Sequence, residues 1–354
     1  MKKIIKGILG VFFGTIVFLF ILILVIFRNE FRSLSTLEKV DDYGMFTMTY
    51  YGDYGFDDFL KTGASSDQDI DKFVTKRLLH GLPLELGDTG DGCTAFVVPD
   101  QNGDIIFARN FDFNYAPSLQ LYTEPDNGYA SVSTVNLSFA GYSKDFLPNG
   151  MSLDSFLTLA APYLPFDGMN EKGVCIALLA VPEADPGYDD NKVTLNTTTA
   201  IRLVLDKAAS VDEAVELLKQ YNIYFSADVT CHYLIADSSG ASVIVEYYDG
   251  ALRTVKTDET YQIASNFIAY NGLNIGEGGT EFDRYETAQK TIKANNGCLD
   301  KEKAIYLLTD IGVINDKHVD KLQWSVVYDL TKGDGTIFAH RNLDNQVNFK
   351  LENE

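Results

Sequence analysis

The chain has 354 residues, with 29 Lys and Arg against 50 Asp and Glu, which gives a formal net charge of −21. This acidic balance argues against nucleic-acid binding, because proteins that bind nucleic acids neutralise phosphates with clustered basic side chains. The length allows a sizeable hydrophobic core and about one to three domains.

The N-terminus predicts a membrane anchor. It carries three lysines, followed by an apolar run from Ile8 to Phe27 that leads directly into Arg28. About 20 apolar residues suffice to cross the hydrocarbon core of a bilayer, and the small-residue cleavage site of a secreted protein is missing. Residues 1–30 are therefore predicted to be an uncleaved signal anchor. It would form an N-terminal transmembrane helix and make this a single-pass protein of the cell membrane.

The flanking charges predict its orientation. The lysines favour an internal N-terminus and an extracellular catalytic domain, whereas Arg28 and Arg32 on the far side oppose that orientation. The alternative interpretation of this segment is a buried core helix.

Residues 31–92 are predicted to be a juxtamembrane pro-segment. Its content of Tyr and Phe is too high for a disordered linker, so it is expected to pack on the body of the protein. The Ser65-Ser66-Asp67 sequence is expected to cap an amphipathic helix that ends at Gly81. The apolar positions of this helix are Ile70, Phe73, Val74, Leu78 and Leu79.

A β-hairpin follows, and the functional interpretation depends on it. Two apolar strands flank Asn-Gly at positions 102–103, which is typical of a tight hairpin turn. A hairpin brings its open ends together, so Cys93 is expected to meet Arg109 and Asp112. Because side chains alternate across a strand, Asp112 would face away from Arg109 unless a bulge or the end of the strand at Asn110 redirected it.

The remaining elements come in groups of strands, helices, strands, helices and strands. Asp167–Gly173 is predicted to be a turn, and most strands are predicted as hairpins. Hairpins favour antiparallel sheets with helices as outer layers, so a layered α/β sandwich is expected. No change in composition marks a further boundary, and residues 93–354 are predicted to form one domain.

A cysteine is nucleophilic only as its thiolate, so Cys93 would need a base or a cation nearby. The surroundings of the four histidines do not resemble a cysteine-protease signature. Cleavage of the Gly92–Cys93 peptide bond would supply another base, because the new α-amino group has a reference pKa of about 8 and lies beside the thiol. Gly92 would allow a strained backbone at this bond.

Three further side chains would support this chemistry. Arg109 would favour the thiolate, and Asp112 would accept hydrogen bonds from the new α-ammonium group. An oxyanion hole needs amide donors, and Asn266, at the end of the predicted strand Tyr261–Ser265, is the best-placed candidate.

No cofactor and no metal site are predicted. The four cysteines include no Cys-x-x-Cys pair, and the adjacent Cys231 and His232 would point to opposite faces of a strand. His232 is instead interpreted as a histidine at the edge of the core. Cys175, Cys231 and Cys298 are interpreted as structural.

The opening motif resembles the choloylglycine hydrolase family of linear amide C–N hydrolases. This family includes bile salt hydrolases, penicillin V acylases, acid ceramidase-like amidases and penicillin-forming acyltransferases. The similar stretches are Gly92–Phe96 and Ala108–Phe113, with Arg109 and Asp112 placed 16 and 19 residues after Cys93, then Asp167–Gly173, His232–Asp237, Ala264–Phe267 and Trp324–Leu330. They follow the family order and span residues 93–340.

The resemblance implies a four-layer αββα sandwich of the N-terminal-nucleophile type. Cys93 would be the nucleophile, Arg109 and Asp112 would support it, and Asn266 would contribute to the oxyanion hole. Arg284 resembles a further active-site arginine. Some 92 residues precede Cys93, a pattern closer to the self-cleaving ceramidase-like and acyltransferase branches than to bile salt hydrolases.

The sequence thus predicts a membrane-anchored amidase that cleaves itself between Gly92 and Cys93. It would then hydrolyse a small N-acyl amide, with an apolar acyl chain, through an acyl-Cys93 intermediate. Ala180 stands where bile salt hydrolases have Asn, so bile-salt specificity is not expected. The alternatives are an acyltransferase of the same family and a non-catalytic, anchored binding protein on the same fold.

Overall fold

The fold combines eight α-helices, four 3-10 helices and 17 strands within the part of the chain that the computed structural model describes, residues 2–79, 92–270, 280–314 and 320–351. The α-helices are α1 (Lys2–Ile26), α2 (Arg28–Leu34), α3 (Phe56–Thr62), α4 (Asp67–Arg77), α5 (Thr197–Lys207), α6 (Val211–Leu218), α7 (Thr280–Ala294) and α8 (Lys301–Ile311). Four short 3-10 helices cover Leu137–Ala140, Leu153–Tyr163, Ser226–Asp228 and Leu343–Asn345.

The strands form two large sheets and one small parallel pair. They are β1 (Glu38–Lys39), β2 (Met45–Tyr50), β3 (Gly92–Pro99), β4 (Ile105–Asp112), β5 (Ser118–Thr123), β6 (Ser131–Asn136), β7 (Pro165–Asn170), β8 (Cys175–Ala180), β9 (Thr194–Asn196), β10 (Asn222–Tyr224), β11 (Cys231–Ala236), β12 (Ser242–Tyr248), β13 (Ala251–Val255), β14 (Gln262–Ser265), β15 (Leu322–Asp329), β16 (Asp334–Ala339) and β17 (Val347–Lys350).

The first large sheet has nine strands in the order β1-β2-β5-β6-β7-β8-β11-β12-β13. Its pairs are antiparallel except β2 and β5, which run parallel over six residue pairs. The prediction of purely antiparallel sheets was therefore wrong at this point. The physical reason is that β2 precedes the β3–β4 hairpin and reaches β5 by a long crossover, and only such a connection can join parallel neighbours.

The second large sheet has six strands in the order β14-β3-β4-β15-β16-β17. The predicted hairpin forms β3 and β4 at its centre, and the connecting turn contains Gly103, whose φ of 90° is a conformation that glycine adopts without strain. Helices α7 and α8 pack on this sheet, and α5 and α6 pack on the nine-stranded sheet. The two sheets meet through β3, β8 and β11. The predicted mixed α/β fold is confirmed.

The segment before Cys93 is part of the fold. Helix α4 begins after Ser66, whose side chain accepts a hydrogen bond from the Asp69 N–H, as the sequence predicts. The helix ends at Arg77, and the predicted stop at Gly81 lies outside the described residues. Phe59 of α3 and Phe73 of α4 lie 5.4 and 5.7 Å from the ring of Tyr163, which is fully buried. The segment thus shares its hydrophobic core with the rest of the chain.

Helix α1 exposes apolar side chains within residues 12–26, among them Phe12, Phe13 and Phe18. Within the described residues, no single helix meets both the length and the hydropathy that a membrane span requires. Residues Phe12–Ile26 and helix α2 meet these criteria only as a pair, with a bend of 69° between them. The transmembrane helix predicted for residues 1–30 is therefore not supported by this structure and stays a prediction.

Candidate active site

Cys93 is the second residue of β3, where this strand lies between β14 and β4. Its side chain is 3% exposed, and Nη2 of Arg109 lies 3.4 Å from the thiol sulfur. The same nitrogen donates a hydrogen bond to the Leu178 carbonyl at 3.2 Å, which ties the arginine to the opposite sheet. The hairpin therefore places a permanent cation beside the thiol, as the sequence predicts.

A buried carboxylate, Asp167, holds Arg109 in place. It accepts a hydrogen bond from Nη1 of Arg109, another from Nε1 of Trp324 at 3.2 Å and a third from the Tyr328 hydroxyl at 2.6 Å. Asp167 and Arg109 are both fully buried. The three donors satisfy a charge that would otherwise be costly to bury, so Asp167 fixes the arginine that contacts Cys93.

Sequence reasoning missed Asp167 because it assigned Asp167–Gly173 to a turn. The structure places Asp167 within β7, and the turn begins only after Asn170. A general rule could have signalled the residue: an arginine expected on a buried strand needs a buried carboxylate partner.

Asp112 lies on the other side of β4 from Arg109. The pairing of β4 with β3 runs without a register shift to Asp112, so the bulge suggested at Asn110 does not form. Instead, Oδ2 of Asp112 accepts a hydrogen bond from Nη1 of Arg284 at 3.1 Å, and Oδ1 accepts one from the Val313 N–H at 2.8 Å. Among the hydrogen bonds of the described residues, none joins Asp112 directly to Cys93.

Asn266 connects this second group to Cys93. Its Oδ1 accepts hydrogen bonds from the Cys93 N–H at 2.6 Å and from Nη2 of Arg284 at 2.8 Å. Its Nδ2 donates to the Ala180 carbonyl at 2.7 Å. The structure therefore brings all five predicted site residues together. Arg109 contacts the thiol of Cys93, and the hydrogen-bonded series Asp112–Arg284–Asn266 ends at the backbone nitrogen of Cys93.

Gly92 lies close to Arg284. It does not adopt a positive φ, and the strained backbone expected here during self-cleavage stays a prediction. A Cβ atom at this position would lie 3.1 Å from Nη1 of Arg284. A larger residue here would press against the guanidinium group, which approaches the backbone closely.

Burial dominates the electrostatics of the two ionisable groups. It raises the pKa of the Cys93 thiol, and the neighbouring Arg109 offsets only part of that rise. It also raises the pKa of Asp112 to about 6, although Arg284 and the Val313 N–H oppose this shift. In the uncut chain the thiol is therefore protonated near neutral pH, and it needs a base before it can act as a nucleophile.

The shifted pKa of Asp112 predicts a pH dependence for the self-cleavage that the sequence leads us to expect. Deprotonation above about pH 6 forms the ion pair with Arg284 and thereby holds Asn266 on the Cys93 nitrogen. We expect the rate of cleavage before Cys93, followed by intact mass, to rise with a midpoint of about pH 6. Ionisation of the thiol adds a separate rise at higher pH. If the Asp112→Asn variant still showed this rise near pH 6, the rise could not be assigned to Asp112.

An apolar pocket lies against Cys93. Its cavity volume is about 40 Å³, and its wall contains four aromatic rings, those of Phe111, Phe113, Phe139 and Phe166. Ala180 also lines the pocket. The described residues contain no group of three His, Cys, Asp or Glu side chains that could hold a metal ion.

A family model for linear amide C–N hydrolases of the choloylglycine hydrolase family matches residues 93–292, more than half of the chain. The chain belongs to this family. The match begins at Cys93, the residue at which the two groups of side chains converge. As a member of the choloylglycine hydrolase family, the chain is a hydrolase of linear amide C–N bonds.

Two curated relatives agree with this assignment. The penicillin V acylase of Pectobacterium atrosepticum is 30% identical over 267 residues, which cover 64% of this chain and 69% of the acylase. The bile salt hydrolase/transferase of Clostridium perfringens is 29% identical over 203 residues, 52% of this chain and 59% of that protein. The match to this second relative thus spans less than two thirds of its length.

The solved structures show the same fold. A cysteine-to-alanine mutant of the conjugated bile acid hydrolase from Clostridium perfringens aligns with a TM-score of 0.53 and 18% identity, covering 74% of this chain and 93% of the hydrolase. An arginine-to-leucine variant of the same hydrolase aligns with a TM-score of 0.54 and 17% identity, covering 73% of this chain and 92% of the variant. At this identity the comparison concerns the fold alone.

Proposed function

We propose that this choloylglycine hydrolase family member is an N-terminal-nucleophile amidase that cuts its own chain between Gly92 and Cys93. Cys93 then attacks the carbonyl carbon of an N-acyl amide. The C–N bond breaks, the amine leaves with a proton, and the acyl group stays on the sulfur as a thioester. Water hydrolyses the thioester and regenerates the thiol.

One observation carries the proposal: the backbone nitrogen and the thiol of Cys93 are each held by a different part of the site. Asn266 binds the nitrogen at 2.6 Å, and Arg109 contacts the sulfur at 3.4 Å. Cleavage would turn that nitrogen into an α-amino group whose reference pKa is about 8, close enough to take the thiol proton. The raised pKa of the buried thiol makes such a base necessary.

The roles of the other side chains follow from their contacts. Arg109 favours the thiolate by its charge, and Asp112 fixes Arg284, which in turn orients Asn266. One N–H of the Asn266 amide is used by the Ala180 carbonyl, and the second is suited to stabilise the oxyanion of the tetrahedral intermediate.

The pocket indicates the class of substrate. Its aromatic wall favours an apolar acyl group next to the sulfur of Cys93. The proposed substrates are therefore small N-acyl amides with an apolar acyl chain.

Intact-mass measurement of the purified protein tests this function. We expect cleavage before Cys93 and, with a panel of N-acyl amides, a transient mass increase equal to the acyl group on the Cys93 fragment. An uncut chain with an unmodified Cys93, together with binding of the same amides, would instead establish a non-catalytic binding protein.

Acyl transfer is the second candidate. The relative from Clostridium perfringens is named a hydrolase/transferase, which supports acyl transfer as an alternative outcome for this chain. Adding an amine acceptor and comparing the yields of the new amide and the free acid separates the two activities. Free acid as the main product at saturating amine would exclude a dedicated transferase.

The segment before Cys93 is expected to stay bound after cleavage. Strand β2 pairs with β5 over six residue pairs, and the hydroxyl of Tyr54 donates a hydrogen bond to Asp206 at 2.8 Å. Lys207 also forms an ion pair with Asp57 at 2.6 Å. We expect both fragments to co-elute in gel filtration and to separate only in denaturant. Release of the smaller fragment under native conditions would contradict this prediction.

Membrane anchoring through residues 1–30 is part of the proposal. The exposed phenylalanines of α1 support it, since an isolated apolar helix needs an apolar environment. Met151 and Leu153, which are 62% and 82% exposed, lie just before and at the start of the 3-10 helix Leu153–Tyr163, against which α2 packs, so further apolar surface lies near the anchor. We expect the full chain to resist alkaline carbonate extraction from membranes. Quantitative release would refute the anchor without affecting the amidase.

A further inference from the structure

A buried pair, His232 and Glu246, lies on the neighbouring strands β11 and β12 and has no part in the chemistry proposed above. Nδ1 of His232 lies 2.8 Å from Oε1 of Glu246, and the two residues are 1% and 3% exposed. Charged side chains are almost never fully buried unless they are paired, so this buried pair requires an explanation.

The carboxylate of Glu246 holds the segment that carries Asn266. Oε1 of Glu246 accepts a hydrogen bond from the Ala269 N–H at 2.8 Å, and Oε2 accepts one from the Tyr270 N–H at 2.7 Å. These two residues follow Asn266 by three and four positions, after β14 has ended. The segment therefore takes its position from a side chain of the opposite sheet.

Glu246 is ionised, which suits it to accept these two hydrogen bonds. Burial opposes its ionisation, but His232 and the two backbone N–H groups hold the pKa of the carboxyl below its usual value. An ionised carboxylate only accepts hydrogen bonds, so Nδ1 of His232 is the donor in their contact. Hydrogen bonds to an ionised acceptor are roughly twice as strong as neutral ones.

We propose that Glu246, oriented by His232, is a positioning residue for acyl transfer at Cys93. It fixes the Asn266–Tyr270 segment so that the Asn266 amide is ready to stabilise the oxyanion. This inference rests on the proposed function, because it assigns a consequence to the role of Asn266 at Cys93. A purely structural role would affect stability and leave the chemistry at Cys93 unchanged.

Two reactions of Cys93 separate these roles. Acylation by 4-nitrophenyl octanoate passes through a tetrahedral oxyanion, whereas alkylation by iodoacetamide displaces iodide and forms none. The variant is Glu246→Gln, which keeps the shape of the side chain. Its amide NH₂ group would face the N–H of Ala269 or of Tyr270 and, being a donor, could not accept that hydrogen bond. Both rates are measured by mass on the cleaved enzyme.

In Glu246→Gln we expect acylation to slow by about 10- to 100-fold, less than the ~10²–10³-fold cost of losing an oxyanion-hole donor. Alkylation should stay within about twofold, because the thiol and Arg109 are untouched. Wild-type acylation in this variant, or an equal loss in both reactions, would overturn the proposal.

Two further variants, both at His232, test the proposal independently of whether Glu246→Gln folds. His232→Asn retains an N–H donor near the position of Nδ1 and should acylate like wild type, whereas His232→Leu should be slowed. Equal rates for these two variants would contradict the role of His232. If Glu246→Gln does not fold, this comparison decides the proposal.

Asp237→Asn is the matched control. Asp237 is also buried on this side of the chain and accepts hydrogen bonds from the Val211 and Ser239 N–H groups, both at 2.9 Å, but it lies beyond the other end of β11. Its acylation rate should stay unchanged, and a loss equal to that in Glu246→Gln would refute a specific role for Glu246. A wild-type Cys93 that reacts with neither probe would overturn the proposed function and, with it, this inference.

Discussion

Replacing Cys93 with Ala is expected to leave the chain uncut at its full mass of 39.3 kDa and to abolish amide hydrolysis. In the proposed mechanism both reactions need the sulfur: self-cleavage requires its attack on the Gly92 carbonyl, and hydrolysis requires its attack on the substrate. No described side chain within the pocket wall offers a comparable cation-supported nucleophile. Intact mass and product release, measured on the same sample, check the two losses together.

Cys298→Ala is the control for this experiment. Cys298 is also a free thiol, but it is partly exposed and lies after α7, outside the pocket. It should cleave itself and hydrolyse amides like wild type. Processing that persists in Cys93→Ala would refute self-cleavage by the thiol, and hydrolysis that persists would refute Cys93 as the nucleophile.

Replacing Arg109 with Met is expected to destabilise the fold by about 3–5 kcal/mol, the usual cost of leaving one partner of a buried ion pair alone. Asp167 would keep its contacts with Trp324 and Tyr328 but would lose its only described cation. Urea unfolding measures the change. The background should be Cys93→Ala, which is expected to keep the chain in one piece and the transition interpretable.

The double variant Arg109→Met with Asp167→Asn should recover part of this loss, because no unpaired charge is then buried. Lys61→Met, which breaks an exposed ion pair with Asp58, is the matched control and should cost less than about 1 kcal/mol. Strictly additive losses in the double variant would show that the two buried charges do not depend on each other.

Local patterns in the sequence predicted the part of the site that one hairpin builds. The Asn-Gly turn placed Arg109 beside Cys93, as predicted, but the bulge that would have brought Asp112 to the same face does not form, and Asp112 lies on the opposite side of β4. What Asp112 meets there could not follow from alternation, since Arg284 comes from a helix 172 residues later in the chain. The resemblance to the family supplied Arg284, and the structure supplied its partners.

Two features were missed for a common reason. Asp167 is followed by glycine, so local turn chemistry suggested a loop, although its partners Arg109 and Trp324 lie in the other sheet. Strand β2 was interpreted only as part of an aromatic pro-segment, because its parallel partner β5 lies 73 residues further along. In both cases long-range packing outweighed the local signal.

The position of β2 affects how the protein would fold before self-cleavage and refold after it. A strand that precedes the proposed cleavage bond lies inside the nine-stranded sheet. Before the cut, the tether keeps this strand at a high effective concentration, and folding is unimolecular. After the cut, the same structure could be regained only by a bimolecular encounter, so its recovery from denaturant should depend on protein concentration. Only the uncut precursor would fold as a single chain, and the mature enzyme would need both fragments to refold.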